Sequence, residues 1–352
     1  MNLEDIGWNS VFKLHFEKLE RAELTPARVV RQDRHRYLMF SEAGEVMAEV
    51  SGRMRHDINR TTEFPVVGDW VVLEWTPESV RIEAVLPRKS AISRQMAAGG
   101  GREQILAANL DTVFLVSGLD GDYNPRRIER FVNLGWESGA TPVLILNKAD
   151  LSVDVEAVSR RVEELAPGVA IHTLSAKEGT GLDALETYLT RGRTAVLLGS
   201  SGVGKSTIVN CLLGTDRQEV FSVREDDSRG RHTTVRRELF VLPSGGAIID
   251  TPGLREVRLW GEEETLATTF ADIGKLGIDC RFGDCRHDAE PGCRVLAALE
   301  RGDLDPGRYE SYRKMQTELE HVASLEVPHE VRARDRRFSK MVRNVIREKK
   351  KE

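Results

Sequence analysis

The segment Gly199-Ser-Ser-Gly-Val-Gly-Lys-Ser206 restricts the fold more than any other feature of the chain. It follows the apolar run TAVLL and precedes TIVNCLLG, a stretch of helical composition. A strand, then G-x-x-x-x-G-K-S, then a helix is the context a phosphate-binding loop requires. The glycines let backbone N–H groups turn inward around phosphate oxygens, and the helix N-terminus adds favourable dipole charge. Gly199, Ser200, Ser201, Gly202, Val203, Gly204, Lys205, Ser206 and Thr207 are therefore candidate nucleotide contacts. Lys205 is expected to reach the β- and γ-phosphates, and the Ser206 hydroxyl to ligate Mg²⁺. The surroundings agree. Apolar runs at Thr112–Val116, Pro142–Leu146, Ala195–Leu198 and Ala247–Ile249 alternate with longer mixed segments, the pattern of a mostly parallel sheet covered by helices.

A second motif names the base. Asn147-Lys148-Ala-Asp150 follows the apolar run PVLIL. A carboxylate at Asp150 can accept hydrogen bonds from guanine N1–H and the N2 amine, a donor pair that adenine lacks. The Lys148 stem can lie over the base, and Asn147 can tie this loop to the phosphate loop. Ser175-Ala176-Lys177 fits the loop whose backbone N–H meets guanine O6. Asp250-Thr-Pro-Gly253 ends the run GGAIID. Its carboxylate is expected to hold Mg²⁺ through water, and the Gly253 N–H to sense the γ-phosphate. In Gly230-Arg-His-Thr-Thr234, either Thr233 or Thr234 is expected to ligate Mg²⁺ when GTP is bound.

The order of these motifs is unusual. In an ordinary GTPase the phosphate loop comes first and the guanine loop last. Here the guanine loop precedes the phosphate loop, the threonine pair and DTPG. A permuted chain can build the same sheet when the old termini lie close together. The chain then leaves the nucleotide domain just after the γ-phosphate sensor, so a change there is expected to pull on whatever follows. Leu254 stands where many GTPases place a water-orienting glutamine. Leucine cannot orient water, and His232 is the nearest candidate for that role.

Cys280-x4-Cys285-x-His287-x5-Cys293 forms a third constellation. Three thiolates and an imidazole make a closed tetrahedral site that favours one structural Zn²⁺ and leaves no open position for metal catalysis. Zinc would supply folding energy to a segment with little core of its own. Cys211, within TIVNCLL, reads as a buried helix residue.

Upstream, residues 25–90 contain five short strand-like runs, PARVVRQ, RYLMFS, EVMAEVSG, DWVVLEW and VRIEAVL. Five strands at that spacing suggest an OB-type barrel, a fold that frequently binds RNA or single-stranded DNA. MAAGGGREQ, residues 96–104, reads as a linker. Residues 262–275 and 293–322 have helical composition. Net charge is −5, unevenly spread: Arg332–Glu352 holds ten Lys or Arg against three Asp or Glu, so this tail is +7 and the rest −12. Phe338, Met341, Val342, Val345 and Ile346 line one face of a helix there, flanked by arginines, and RNA is the preferred partner. The sequence has neither an apolar run long enough to span a bilayer nor an N-terminal signal pattern, which points to the cytoplasm.

Taken together, the barrel with PVVGDWV at 65–71, ANLD at 108–111, NKAD, SAK, GSSGVGKS, GRHTT, DTPG and the zinc spacing resemble the ribosome small-subunit-dependent GTPase A family of bacteria. The resemblance covers nearly the whole chain. It implies an N-terminal extension at 1–23, an OB barrel at 24–95, the linker, a circularly permuted α/β P-loop GTPase core at 105–260 and a helical zinc domain with a basic tail at 261–352. It implies a monomer that binds the 30S subunit and 16S rRNA in the GTP state, hydrolyses GTP to GDP on stimulation by the subunit, and carries an apolar residue at the Leu254 position. Two alternatives stay open: a GTP-regulated RNA-binding module without turnover, and a permuted GTPase acting on another ribosomal particle.

Replacing Asp150 by Asn turns a paired acceptor into a mismatched amide. GTP affinity is expected to fall by a few kcal/mol in an equilibrium titration; unchanged affinity would mean that another loop reads the base.

Overall fold

The computed structural model describes residues 2–21, 23–33, 36–58, 61–95, 103–120, 123–152, 154–214, 237–250 and 263–317. The chain divides into two compact units, Met1–Arg94 with Glu103–Arg258, and Gln95–Arg102 with Leu259–Glu352.

In the first unit the strands β1 (Thr25–Asp33), β2 (Arg36–Ser41), β3 (Gly44–Val50), β4 (Trp70–Trp75) and β5 (Val80–Val85) run in the order β1-β2-β3-β5-β4, and β4 returns to pair with β1. All contacts are antiparallel except β3–β5. This closes a five-stranded barrel around Ala27, Val29, Met39, Val71, Leu73 and Ile82. Helix α1 (Ser10–Glu17) precedes the barrel, and helix α2 (Gly52–Asp57) follows β3.

β6 (Ala91–Gln95) and β7 (Glu103–Ala108) follow the barrel and pair as a two-stranded sheet, so Glu103 and Gln104, at the end of the expected linker, lie in a strand. The parallel sheet then contains β8 (Thr112–Gly118), β9 (Thr141–Asn147), β10 (Ala170–Thr173), β11 (Thr194–Gly199) and β13 (Ala247–Asp250), with β12 (Glu238–Val241) antiparallel at its edge. Their order is β10-β9-β8-β11-β13-β12. Buried on both faces, β8, β9, β11 and β13 are near-continuous apolar runs, whereas the edge strand β10 is half-exposed. Helices α3 (Pro125–Glu137), α4 (Val155–Leu165), α5 (Asp183–Glu186) and α6 (Lys205–Leu213) connect them. β12 also pairs with β1, at Arg31↔Glu238, so barrel and parallel sheet share one 11-stranded hydrogen-bonded order.

A buried arginine joins the pieces. Arg28, on β1, donates to Gly68 O and Asn109 O, each at 3.3 Å, and to Ile6 O. Its guanidinium lies 5.6 Å from the Trp70 ring centre. Burial lowers its pKa to about 10, so it stays charged at neutral pH. Asn109 Nδ2 donates to the same Gly68 carbonyl at 3.1 Å. The N-terminal segment is thereby held to the barrel, with Trp8 and Phe12 against Trp70. Asp69 accepts two 2.7 Å bonds from Arg88 and one from Val66 N, closing the loop that carries Gly68. Burial raises the Asp69 pKa above the ordinary carboxylate value, and Arg88 and the Val66 N–H offset only part of that rise.

In the second unit, α7 (Glu263–Thr269), α8 (Ala271–Ile278), α9 (Arg294–Arg301) and a helical stretch at 306–317 surround Leu266, Phe270, Ile273, Val295, Ala298, Leu304 and Met315. The stretch of helical composition at 293–322 forms two helices within the described residues: Gly302 takes φ 78 as the C-cap of α9, and Pro306 starts the next. Arg308 pairs with Asp272 at 2.6 and 2.7 Å and stacks 4.8 Å over Phe270.

Gly68 has φ +92, and a Cβ there would lie 2.2 Å from Ala108 O. Gly68→Ala is expected to cost about 2–4 kcal/mol in urea unfolding, from backbone strain plus a backbone clash. A loss below roughly 0.5 kcal/mol, the range of neutral surface changes, would show that this joint is pliable.

Candidate functional site

Parallel strands put all their C-terminal ends on one edge of the sheet. The chain runs outward from β8 to β9 and β10, then returns to β11 on the other side of β8. Ligands of open α/β sheets bind at such a reversal of strand order. The loops leaving β9, β10 and β11 at this edge carry Asn147–Asp150, Ser175–Lys177 and residues 199–206, and Asp250 ends β13 there.

Asn147 ends β9 and is 2% exposed. Its side-chain Nδ2 donates to Val203 O at 2.8 Å, and its Oδ1 accepts from Ala176 N at 3.0 Å. One buried amide therefore links the Asn147–Asp150 loop, the Ser175–Lys177 loop and the 199–206 loop. Lys148 takes a left-handed conformation, φ 64, and its Nζ lies 2.5 Å from Asp120 Oδ2. Asp150 is exposed in the 3-10 turn Ala149–Leu151, and its Oδ1 accepts from Ser175 Oγ at 2.6 Å. Leu174 O accepts from Ala149 N at 3.1 Å, which fixes the two loops to each other through the backbone as well.

The 199–206 loop leaves β11 and opens α6. Gly204, at the helix N-cap, has φ 100, and a Cβ there would lie 2.2 Å from Asn147 Nδ2. Val203 is fully buried and anchors the loop, while Ser201, Gly202, Ser206 and Thr207 are exposed and Ser200 is half-buried. Lys205 Nζ donates to Gly199 O at 2.8 Å and Ser200 O at 2.6 Å, so its ammonium is held across the loop. Asp250 ends β13, next to β11 in the sheet, and is 3% exposed. His232, Thr233, Thr234, Gly253, Leu254 and the basic tail lie outside the described residues.

Cys211 corrects the sequence reading. It is exposed, and its Sγ donates to Ala176 O at 3.3 Å. Helix α6 buries Ile208 and Val209 against the sheet, and Cys211 falls off that stripe. Asp120, the partner of Lys148, was not singled out from the sequence. The usable signal was its place just past the C-terminal end of an apolar strand beside the phosphate loop.

In the second unit, one ligand atom each from Cys280, Cys285, His287 and Cys293 lie within 4.8 Å of one another. His287 faces the sulfurs through Nδ1, 3.6 Å from Cys280 Sγ and 3.4 Å from Cys293 Sγ. Its backbone is left-handed, φ 60, and its carbonyl accepts a 2.5 Å bond from Tyr309 OH. Cys280 Sγ accepts from Arg294 N, and Cys293 Sγ from Leu296 N. Burial holds the imidazole below its usual pKa, in the neutral form that binds metal. Desolvation and the neighbouring sulfurs push the Cys285 thiol up to about 11. Three thiols so close cannot all ionise unless a cation shares their charge, so the donor set fits a metal ion.

Comparison with known proteins gives matches along the whole chain. The model of the family "RsgA GTPase" matches residues 85–260. The small ribosomal subunit biogenesis GTPase RsgA of Opitutus terrae is 44% identical, over 97% of this chain and 96% of that protein. The protein of the same name from Syntrophotalea carbinolica is 44% identical, over 91% of this chain and 90% of its own length. The crystal structure of YjeQ from Thermotoga maritima superposes with a TM-score of 0.60 at 29% identity, covering 84% of this chain and 98% of that one. A circularly permuted GTPase, YloQ, has the same fold, with a TM-score of 0.59 at 22% identity over 85% and 96% of the two chains.

Because Gly204 leaves no room for a side chain beside Asn147, Gly204→Ala is expected to weaken nucleotide binding by about 100-fold or more while circular dichroism stays native. Binding of a fluorescent guanine nucleotide within threefold of the parent would break the link between this contact and the pocket.

Proposed function

This chain belongs to the RsgA GTPase family, and from that premise we propose that it binds GTP at the β8/β11 edge of the sheet, hydrolyses it to GDP and phosphate, and acts in late maturation of the 30S ribosomal subunit. The observation that carries this reading is the Asn147 amide, which joins the base loop and the phosphate loop although they stand in reversed order along the chain.

Each residue has a chemical task. The Asp150 carboxylate, steadied by Ser175, accepts from guanine N1–H and N2. The Ala176 N–H is engaged by Asn147, so we assign guanine O6 to the next amide, Lys177 N–H. The Lys148 stem, held by Asp120, lies along the base. The amides of 200–206 receive the phosphate oxygens, and the Lys205 ammonium exchanges its loop carbonyls for the β- and γ-phosphates. Ser206, Asp250 and one of Thr233 and Thr234 would hold Mg²⁺, which neutralises charge on the β- and γ-oxygens. Gly253 senses the γ-phosphate. Water orientation falls to His232, since Leu254 cannot donate or accept a hydrogen bond. Slow turnover until the ribosomal particle contacts the enzyme follows from that leucine.

We assign the Cys280–Cys285–His287–Cys293 cluster one structural Zn²⁺. The barrel at 24–95 and the basic tail are assigned to 16S rRNA; along the chain the GTPase core at 105–260 follows the barrel and the zinc domain at 261–352 comes last. A cytoplasmic monomer is the working form, and no described helix is long and apolar enough to cross a membrane.

GTP hydrolysis by the full chain is expected to rise by at least about tenfold on adding purified 30S subunits, as for GTPases completed by a partner, and to be little changed by 50S subunits. Equal rates with and without 30S would contradict the ribosomal role. Chelating zinc should reduce helical circular dichroism by about the share of the second unit, because metal binding there is folding energy. An unchanged spectrum after the metal has been shown to leave would remove the structural assignment.

A further inference from the structure

Strand β12 has a neighbour on each side. On one side it pairs with β13, where Glu238 stands opposite Asp250. On the other it pairs with the first barrel strand, where Glu238 stands opposite Arg31. Residues directly opposite on antiparallel strands project from the same face. Arg31, Glu238 and Asp250 therefore form a row across three strands, from the barrel to the end of the strand beside the phosphate loop.

The two carboxylates of the row are buried, and Arg31 is half-buried. Glu238 is 1% exposed and Asp250 is 3% exposed. Arg31 Nη1 lies 3.5 Å from Glu238 Oε1, and its Nε donates to Asp33 Oδ2 at 3.0 Å. The register of β1 against β2 shifts between Val29 and Arg31, just where β1 takes up β12 as a partner. Irregularities of this kind re-aim a side chain. Two buried carboxylates side by side repel each other, so the placement of Asp250 depends on where Glu238 is drawn, and Arg31 draws it.

We propose that Arg31 and Glu238 are positioning residues for Asp250, and that through this row the barrel strand β1 and the magnesium side of the nucleotide site set each other's geometry. The proposal rests on the nucleotide site assigned above. A change at Asp250 when GTP replaces GDP moves Glu238, and Arg31 passes the change to β1. By linkage, whatever grips β1 biases the site toward one nucleotide state to the same extent.

Amide hydrogen exchange on the full chain, loaded with GDP or with a non-hydrolysable GTP analogue and Mg²⁺, tests this without ribosomes. In the parent, amides of residues 29–33 are expected to differ in exchange rate between the two states by about threefold or more. In Glu238→Gln, which keeps shape, and in Arg31→Met, that difference is expected to vanish, while Arg31→Lys retains part of it. A difference of unchanged size in Glu238→Gln and Arg31→Met would overturn the proposal. So would its absence in the parent. Faster exchange in both states with the difference kept would mark the pair as merely structural and would also overturn it. Protection of residues 199–206 by either nucleotide is the internal control. If that protection is missing in the parent, the nucleotide site itself is misplaced and the row loses its role with it.

Discussion

One buried amide holds the proposed nucleotide pocket together. Asn147 gives its N–H to the phosphate loop at Val203 and its oxygen to the amide of Ala176. Each of those partners is a backbone group that would be costly to leave unmade in a buried place, about 1–3 kcal/mol each. The three loops are therefore held as one object. This is why the order of the loops along the chain is free to change. A pocket needs its walls adjacent in space, and a parallel sheet with a reversal between β8 and β11 supplies that adjacency for a permuted chain as well as for an ordinary one. It also accounts for Gly204, whose missing side chain is the space the Asn147 amide occupies.

The barrel is bound into the same frame by buried polar contacts. Arg28 collects carbonyls from the N-terminal segment, from the Gly68 turn and from Asn109 at the start of the parallel sheet. A buried guanidinium is favourable only when its donors are satisfied, so these three segments must arrive together. The motifs PVVGDWV and ANLD carry this joint.

Much of this was legible in the sequence, for particular reasons. RYLMFS is a strand over the same six residues in the structure, because Arg36 and a turn at Glu42–Gly44 bound it sharply. The loops at 147–150, 175–177 and 199–206 were visible because each follows an apolar strand and uses residue types with few alternative reasons to be there. Long-range pairing was not visible. The contact of β1 with β12 rests on one register pair, Arg31↔Glu238, between residues more than 200 positions apart, and nothing local marks either partner. The N-terminal helix also went unread, because its seat depends on Trp70 far along the chain. Cys211 was misjudged because helical periodicity gives a buried stripe and not the neighbouring loop that a residue just off the stripe can meet.

The second unit follows a different rule. Its apolar core is small, and Cys293 belongs to it as well as to the donor cluster. On the metal assignment proposed above, ion binding and folding would be one event there, whereas the first unit is held by its sheet. The whole account of function nevertheless depends on the first unit's pocket. A crystal structure of the full chain with bound GDP tests it most directly. The guanine is expected beside Asp150 and Lys177, with the phosphates wrapped by the amides of 200–206. A nucleotide seated elsewhere, or a guanine out of reach of Asp150, would contradict it.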